Sequence, residues 1–226
     1  MALTLCGDIG GTNTRLSLFE VSEAAPSGSL LFNNSYLNSG YKSFNDLYSV
    51  FIADAGETRC PVTACFAVAG PVKNNCVVFT NRDAWTIDGD SLSKTLGIQK
   101  IRLINDFVAN GYGLLTLDLD KECRPLLDNP RISSAPIVCI GAGTGLGECF
   151  LTPDQNGIYQ CFPSEGGHAE FAPRNALEND LLNYLKAKFG QQHRVSVERV
   201  VSGTGLGNVR SCNKKHIFSL VIYFHF

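Results

Sequence analysis

The sequence predicts an α/β protein that carries two strand–glycine turn–strand units, and two observations support this prediction. A short apolar strand at 3–6 leads into a glycine-rich turn at 7–15, and a second apolar strand at 136–140 leads into another at 141–147. Between the two turns, apolar stretches alternate with segments of helical periodicity. Because glycine lets backbone N–H groups approach phosphate oxygens closely, two such turns could hold a nucleotide triphosphate from both sides.

The first half of the chain is expected to contribute a sheet flanked by helices. Apolar runs that end at turn residues predict strands at 3–6, 14–20, 62–69, 76–80 and 101–104. Apolar residues at helical spacing predict helices at 43–55, 91–96 and 107–117. Residues 21–40 are rich in Ser, Gly, Asn and Pro, which predicts a loop that interrupts or edges the sheet.

A charged, proline-containing stretch at 118–135 separates the halves, and we place the domain boundary after residue 117. The first domain then spans 1–117, and a partial second domain spans 118–209. Its clearest helix is predicted between Asn175, a suitable N-cap, and Gly190, a suitable stop. The last residues, 210–226, combine a polar segment with an aperiodic apolar run. They are expected to form an aberrant tail or, alternatively, a buried terminal strand.

Composition excludes several classes of function. The net charge of −2 gives no general attraction to nucleic acid or to an anionic membrane. The nine cysteines form no Cys-x-x-Cys pair, so a structural zinc site is not expected. Several of them lie in apolar runs, which is typical of buried, reduced cysteines in a reducing compartment. No signal peptide and no membrane-spanning stretch are recognised. We therefore expect a cytoplasmic protein without nucleic-acid or membrane partners.

The first glycine-rich turn carries groups suited to a metal–phosphate complex. Asp8 lies at the end of a strand, where its carboxylate can hold Mg²⁺ through water, and Thr12 and Asn13 offer donors to phosphate. The alternative is an ordinary hairpin in which Asp8 accepts local N–H bonds. Neither turn is a P-loop, and neither is a dinucleotide fingerprint, because the third glycine would fall at Leu146.

An acidic residue follows the strand at 101–104. Asp106, next to Asn105, would lie where side chains of a parallel sheet meet a ligand crevice. There it can accept a hydroxyl proton during phosphoryl transfer. The alternative is that Asp106 simply caps the helix that begins at Phe107.

A second polar group is spread over the later part of the chain. Glu165 and His168 flank a pair of glycines, and together they offer acceptors and a donor suited to vicinal hydroxyls. A histidine beside glycines is otherwise typical of a surface loop. Glu198 could bind a ligand or could simply lie in a helix that opens at 196–199.

Taken in order, these motifs resemble the bacterial-type glucokinases, in the superfamily of sugar kinases, heat-shock ATPases and actin. The resemblance rests on the motifs at 7–15, 80–85, 104–107, 141–147, 165–173 and 198–206. It implies a two-domain ribonuclease H-like (actin-like ATPase) fold. The zinc-binding Cys/His cluster of the related repressor-type sugar kinases is absent from the sequence.

The resemblance also implies roles at the matching positions. Asp106 would be the general base that takes the proton from the sugar 6-hydroxyl. The ligands of the remaining sugar hydroxyls would be Asn105, Glu165, His168 and Glu198. The groups that orient Mg²⁺–ATP would be Asp8, Gly10, Gly11, Thr12 and Asn13 on one side and Gly143, Thr144 and Gly145 on the other.

Three functions stay open. The first is ATP-dependent phosphorylation of glucose to glucose 6-phosphate. Because members of the family continue well beyond residue 206, we expect a C-terminally truncated chain with an incomplete second domain. The second is therefore a catalytically inactive, sugar-binding remnant, and the third is an ATPase of the same superfamily with a protein or acid acceptor. Relatives commonly dimerise, so a homodimer is possible.

Overall fold

The computed structural model describes residues 2–22, 25–56, 58–79, 85–127, 129, 132–190 and 194–215. The chain divides into two compact units, Met1–Asn129 and Pro130–Phe226, called here the first and the second unit. The division lies within the charged stretch at 118–135, and it comes later than the boundary predicted after residue 117. In the described part of the chain, no helix is long and apolar enough to cross a membrane.

The first unit is built on a mixed sheet. Its described strands are β1 (Ala2–Ile9), β2 (Asn13–Ser22), β3 (Ala25–Leu37), β4 (Thr63–Val68), β5 (Cys76–Val78), β6 (Thr86–Asp88) and β7 (Lys100–Asn105). Five of them form one sheet in the order β3-β2-β1-β4-β7, in which β1, β4 and β7 are parallel and β2 is antiparallel to both neighbours. Strands β5 and β6 form a separate antiparallel pair. The predicted strands are confirmed, while residue 80 and most of the motif at 80–85 lie outside the described residues.

The first unit contains four described α-helices. They are α1 (Phe44–Ala55), α2 (Gly89–Leu96), α3 (Asp106–Leu114) and the single turn α4 (Leu119–Glu122). The Ser43 hydroxyl caps α1 by accepting from the Asp46 N–H at 3.2 Å, and Gly56 ends α1 in the left-handed region at φ 62°. All three predicted helices are confirmed.

The loop predicted at 21–40 is wrong over most of its length. Residues 25–37 form β3, which pairs with β2 in a ladder from Asn13↔Leu37 to Ser22↔Ala25 with two register shifts. Its polar residues are tolerated because β3 is an edge strand whose outer side faces water. Tyr36, 7% exposed, points inward and makes an edge contact with Phe51 of α1 at 6.3 Å between ring centroids. This inward residue anchors the strand.

One apolar cluster fills the space between the sheet and α1. Fully buried Leu5, Phe66 and Phe51 come from β1, β4 and α1. Gly7 lies where a Cβ would be 2.8 Å from both Leu16 and Phe66, so the glycine permits the close packing of β1 against its neighbours. This packing fixes the strand ends that carry the predicted site.

The second unit contains a smaller antiparallel sheet. Its described elements are β8 (Ile137–Ala142), β9 (Leu146–Pro153), β10 (Tyr159–Ser164), α5 (Ala176–Phe189) and α6 (Gly203–Lys215). The strands lie in the order β10-β9-β8. Asn175 caps α5 by accepting from Glu178 N–H at 2.9 Å, and Gly190 ends it at φ 61°. The predicted strand at 136–140 and the predicted helix are therefore confirmed.

The last helix of the second unit overlaps the tail predicted at 210–226. Residues 210–215 continue α6, so they are not part of an aberrant end. Ser202 caps this helix by accepting from Gly205 N–H at 2.9 Å, and Asn208, Val209 and Cys212 are all buried. This spacing gives α6 a buried face that its polar composition conceals. Residues 216–226 lie outside the described residues.

Candidate active site

The first glycine-rich turn connects β1 to β2 and is held from one side. Gly10 N–H donates to the Asn13 carbonyl at 2.9 Å, which closes the hairpin. The Asn38 side chain donates from Nδ2 to the Gly10 carbonyl at 2.8 Å, and Asn38 N–H donates to the Thr12 carbonyl at 2.9 Å. Gly11 is exposed, and a Cβ there would meet nothing within 4 Å. The turn therefore has one braced side and one open side.

Asp8 precedes this turn and keeps an accessible carboxylate. Its Oδ2 lies 3.2 Å from Nη1 of Arg15, its neighbour across the β1–β2 ladder. The two side chains are 53% and 69% exposed respectively, and exposed pairs of this kind contribute at most about 1 kcal/mol to stability. The pair can therefore open at little cost when a ligand approaches.

The register of the parallel strands brings Asp106 to the same edge of the sheet as the first turn. Ile9 is paired with Val68, and Val68 is paired with Asn105, so β1, β4 and β7 end level with one another. Gly10 and Asp106 are the next residues along β1 and β7. Strands lie about 4.8 Å apart, which separates the two chain paths by roughly 10 Å.

Asn105, and not Asp106, caps α3. The Asn105 Oδ1 accepts from the N–H groups of Phe107 at 3.0 Å and Val108 at 3.3 Å, while its Nδ2 donates to the Gly70 carbonyl at 3.3 Å. The alternative interpretation of Asp106 as the helix cap is therefore wrong. Asp106 is exposed in the first turn of α3, where its Oδ1 accepts from Phe107 N–H at 2.8 Å. The positive end of the helix dipole favours a negative charge at this position.

The second glycine-rich turn, between β8 and β9, is held by different groups. Gly143 N–H donates to the Gly145 carbonyl at 2.9 Å, and the Gly143 carbonyl accepts from Gly203 N–H at 2.7 Å, at the start of α6. The Glu198 carboxylate accepts from Leu146 N–H at 2.9 Å. A Cβ on Gly145 would collide with this carboxylate, whose Cδ would be only 3.2 Å away. A side chain at position 145 would therefore displace the Glu198 carboxylate from its present position.

Three of the residues predicted to bind the sugar lie close together in the second unit. His168 Nε2 lies 3.6 Å from Glu165 Oε2, and its Nδ1 lies 3.8 Å from Glu198 Oε1. The chain paths explain this proximity, because Val197 N–H donates to the Ala169 carbonyl at 2.8 Å and lays the two segments side by side. Glu165 is 85% exposed, His168 59% and Glu198 25%, so the group is open to a polar ligand.

The glycines between Glu165 and His168 serve packing rather than flexibility. A Cβ on Gly167 would collide with the Leu146 carbonyl, and one on Gly166 would collide with the Glu148 carboxylate. The 3₁₀ turn Gly166–His168 therefore lies tightly against β9. This contact fixes the position of His168 relative to the second glycine-rich turn.

Sequence analysis missed Asn38. The residue lies at the end of β3, in a segment whose Ser- and Asn-rich composition predicts a loop, and it is only 1% exposed. Once β3 is paired with β2, the ladder places Asn38 beside the first turn. No apolar alternation marks this face of β3 in the sequence, because Asn34, between Phe32 and Tyr36, is polar and exposed.

The chain matches the family model described as glucokinase over residues 5–217. This match ends within the tail predicted at 210–226. A glucokinase from Nostoc sp. (strain PCC 7120) is 47% identical over 206 residues, which cover 91% of this chain and 59% of the relative. The chain thus spans about three fifths of the length of the curated relatives it matches.

Solved glucokinase structures also superpose on this chain. A glucokinase from an Antarctic psychrotroph superposes with a TM-score of 0.81 at 26% identity, covering 99% of this chain and 68% of the other. A glucokinase from Balamuthia mandrillaris, in complex with glucose, superposes with a TM-score of 0.68 at 25% identity, covering 96% of this chain and 64% of the other. The α/β class predicted from the sequence is therefore confirmed.

Proposed function

Because the chain belongs to the glucokinase family, we propose that it transfers the γ-phosphoryl group of ATP to the 6-hydroxyl of glucose, with Asp106 as the general base. The observation that carries this proposal is the register of β1, β4 and β7, which brings Asp106 to the sheet edge that holds the first glycine-rich turn. An exposed carboxylate beside a phosphate-binding turn suits proton removal from an attacking hydroxyl. The mixed sheet of the first unit and the antiparallel sheet of the second support the actin-like fold that the family implies.

The two glycine-rich turns are assigned to the phosphate groups. In the first turn, the donors would be the backbone and side-chain groups of Gly10, Gly11, Thr12 and Asn13. In the second turn, they would be those of Gly143, Thr144 and Gly145. Both turns have an open position, since a Cβ on Gly11 or Gly143 would meet nothing within 4 Å. Phosphoryl transfer depends mainly on positioning and charge stabilisation, and fixed backbone donors supply both.

Asp8 is the residue that would hold Mg²⁺, through water. Within the described residues, no group of three His, Cys, Asp or Glu side chains is placed to hold a metal ion by itself. A single accessible carboxylate fits Mg²⁺, which takes one or two carboxylates and completes its shell with phosphate oxygens and water. When bound, the ion would neutralise charge on the phosphates.

The sugar is assigned to Asn105, Glu165, His168 and Glu198. The two carboxylates beside one imidazole offer acceptors and a donor to neighbouring hydroxyls. Asn105 uses its Oδ1 on the α3 backbone and one N–H on Gly70, which leaves the second N–H of Nδ2 for a hydroxyl. Its cap also fixes the backbone from which Asp106 projects. The joint action of the two units on one substrate is part of this proposal.

In the proposed step, the glucose O6 forms a bond to the γ-phosphorus while the bond from that phosphorus to the β–γ bridging oxygen breaks. The O6 proton passes to the Asp106 carboxylate, and ADP leaves with the electron pair. In this step Asp106 acts as a positioned proton acceptor. Its task is to lie within hydrogen-bond reach of O6.

The test is coupled detection of glucose 6-phosphate with Asp106→Asn. We expect kcat to fall by about 10²- to 10⁴-fold, the usual contribution of a general base, while glucose and ATP still bind. Asp46→Asn is the matched control, because Asp46 is also an exposed aspartate in the first turn of a helix of the same unit. Its kcat should equal that of the parent.

Three outcomes would contradict the proposal. Equal kcat for the parent and Asp106→Asn would remove Asp106 from the role of base. Calorimetry that detects glucose binding by a parent protein without ATP binding or turnover would favour a sugar-binding function. Phosphorylation of acetate or a peptide in place of glucose would favour a different acceptor.

A further inference from the structure

We propose that Asn38 is a positioning residue that sets the orientation of the first phosphate-binding turn. This inference rests on the proposed function, because it assigns Asn38 a task in nucleotide binding. Neither the family motifs nor the sequence patterns single out this residue. Its contacts, however, concentrate on the turn itself.

Asn38 is almost completely buried, and each of its polar groups has a partner. Nδ2 donates to the Gly10 carbonyl at 2.8 Å, and Oδ1 accepts from the Thr14 hydroxyl at 2.7 Å. The backbone N–H donates to the Thr12 carbonyl at 2.9 Å, and the backbone carbonyl accepts from Tyr41 N–H at 3.1 Å. Because a carbonyl only accepts, the contact with Gly10 fixes which end of the amide is the donor.

These contacts determine where the donors of the turn point. In a trans peptide, the carbonyl and the following N–H point in opposite directions. With the Gly10 carbonyl directed at Asn38, Gly11 N–H points away from Asn38, and the Thr12 carbonyl has the same effect on Asn13 N–H. Within the described residues, Gly11 N–H has no protein acceptor. Asn38 thus holds the Gly10 and Thr12 carbonyls and directs the N–H groups that follow them, those of Gly11 and Asn13, away from itself.

The amide is suited to this task because it is neutral. An aspartate at position 38 could still accept from Thr14 but could not donate to the Gly10 carbonyl. Two acceptors would then face one another, and the peptide between Gly10 and Gly11 would be expected to rotate. A negative charge behind the turn would also repel phosphate. Thr14, which is fully buried, orients the amide and is the second member of this network.

The experiment compares Asn38→Asp with Asn75→Asp in steady-state kinetics. Asn75 is a matched control, because its Nδ2 also donates to a backbone carbonyl of the first unit, that of Ile101 at 2.9 Å. We expect Asn38→Asp to raise KM for Mg²⁺–ATP about tenfold or more, because Gly11 N–H would no longer donate a hydrogen bond to a charged phosphate oxygen. KM for glucose should stay within about twofold of the parent value. Asn75→Asp should leave both KM values unchanged even where it lowers Tm.

A second pair of variants covers the case in which Asn38→Asp does not fold. Thr14→Val is isosteric and removes the hydroxyl, so it should raise KM for Mg²⁺–ATP in the same direction. Thr14→Ser keeps the hydroxyl and should restore the parent value. A purely structural role would lower Tm without this rescue in KM. If Mg²⁺–ATP KM stays at the parent value in Asn38→Asp or Thr14→Val, the inference is wrong.

A pyrophosphate titration separates this inference from the proposed function. The amide ¹H–¹⁵N signals of Gly11 and Asn13 should shift with pyrophosphate in the parent and not in Asn38→Asp or, if that variant does not fold, Thr14→Val. This result would support Asn38 even if the chain shows no turnover of glucose. Signals that do not shift in the parent, or that shift equally in the variant, would overturn it.

Discussion

The two glycine-rich turns look alike in sequence, yet the structure braces them differently. The first is held by the neutral, buried amide of Asn38. The second is held by the charged, partly exposed carboxylate of Glu198 and by the start of α6. A neutral amide interacts weakly with a charge that binds nearby, whereas a carboxylate interacts strongly with the charged groups beside it. Two turns with the same sequence motif are therefore held in different ways, the first by a neutral amide and the second by a carboxylate that also faces His168.

In the second unit, Glu198 lies between the second turn and His168. One oxygen of its carboxylate accepts from Leu146 N–H at the end of the turn, and the other faces His168 at 3.8 Å. A ligand bound at His168 would therefore compete for, or align, the group that holds the turn.

The largest difference between the turns should appear when one glycine in each is changed to alanine. In Gly145→Ala, the new Cβ displaces the end of the Glu198 side chain and breaks its hydrogen bond with Leu146 N–H, so we expect a loss of about 1 kcal/mol in stability and a rise of tenfold or more in KM for glucose. In Gly11→Ala, the Cβ enters open space, so Tm should stay at the parent value. Thermal unfolding and steady-state kinetics measure both.

The two alanine variants also distinguish an effect on stability from an effect on nucleotide binding. If the open side of the first turn receives phosphate, the methyl group of Gly11→Ala will raise KM for Mg²⁺–ATP although the fold is unaffected. An equal loss of Tm in the two variants would contradict the difference in bracing described above.

A smaller effect is expected from Glu198→Gln. The amide oxygen can still accept from Leu146 N–H, so the turn should keep its shape, but the charge facing His168 is lost. We expect KM for glucose to rise about tenfold, because hydrogen bonds to charged groups are the stronger ones. Glucose titration by calorimetry gives the same comparison without turnover.

Glu178→Gln is the matched control for this change. Glu178 is also 25% exposed and accepts a backbone N–H, that of Arg174 at 2.7 Å, on the surface of α5. Its substitution should leave glucose binding unaffected. Identical glucose affinities in the two glutamine variants would show that Glu198 only braces the turn.

The fold was largely predictable where local signals and packing agree. The cap at Ser43, the stop at Gly190 and the apolar run at 62–69 each specify one outcome. Strand β3 was not predictable from composition, because its stability comes from pairing with β2 and from the burial of Tyr36. Helix α6 was missed in part because its buried face contains small and polar residues, among them Asn208.

The candidate site shows the same division. Glycines and acidic residues at strand ends can be recognised from spacing, and this is how Asp8 and Asp106 were found. The groups that hold them were not recognisable, because Asn38 reaches the first turn only through the β2–β3 ladder. Likewise, the assignment of the α3 cap to Asn105 rather than Asp106 depends on backbone geometry that two adjacent polar residues do not reveal.

In the proposed function, both glycine-rich turns bind the phosphates of one nucleotide. The most direct test is a titration of the ¹⁵N-labelled chain with a non-hydrolysable Mg²⁺–ATP analogue in the presence of glucose, observing the amide signals of Gly11 and Thr144. If both turns bind one nucleotide, both signals will shift together and saturate at the same analogue concentration. A shift at only one turn, or saturation at different concentrations, would contradict it.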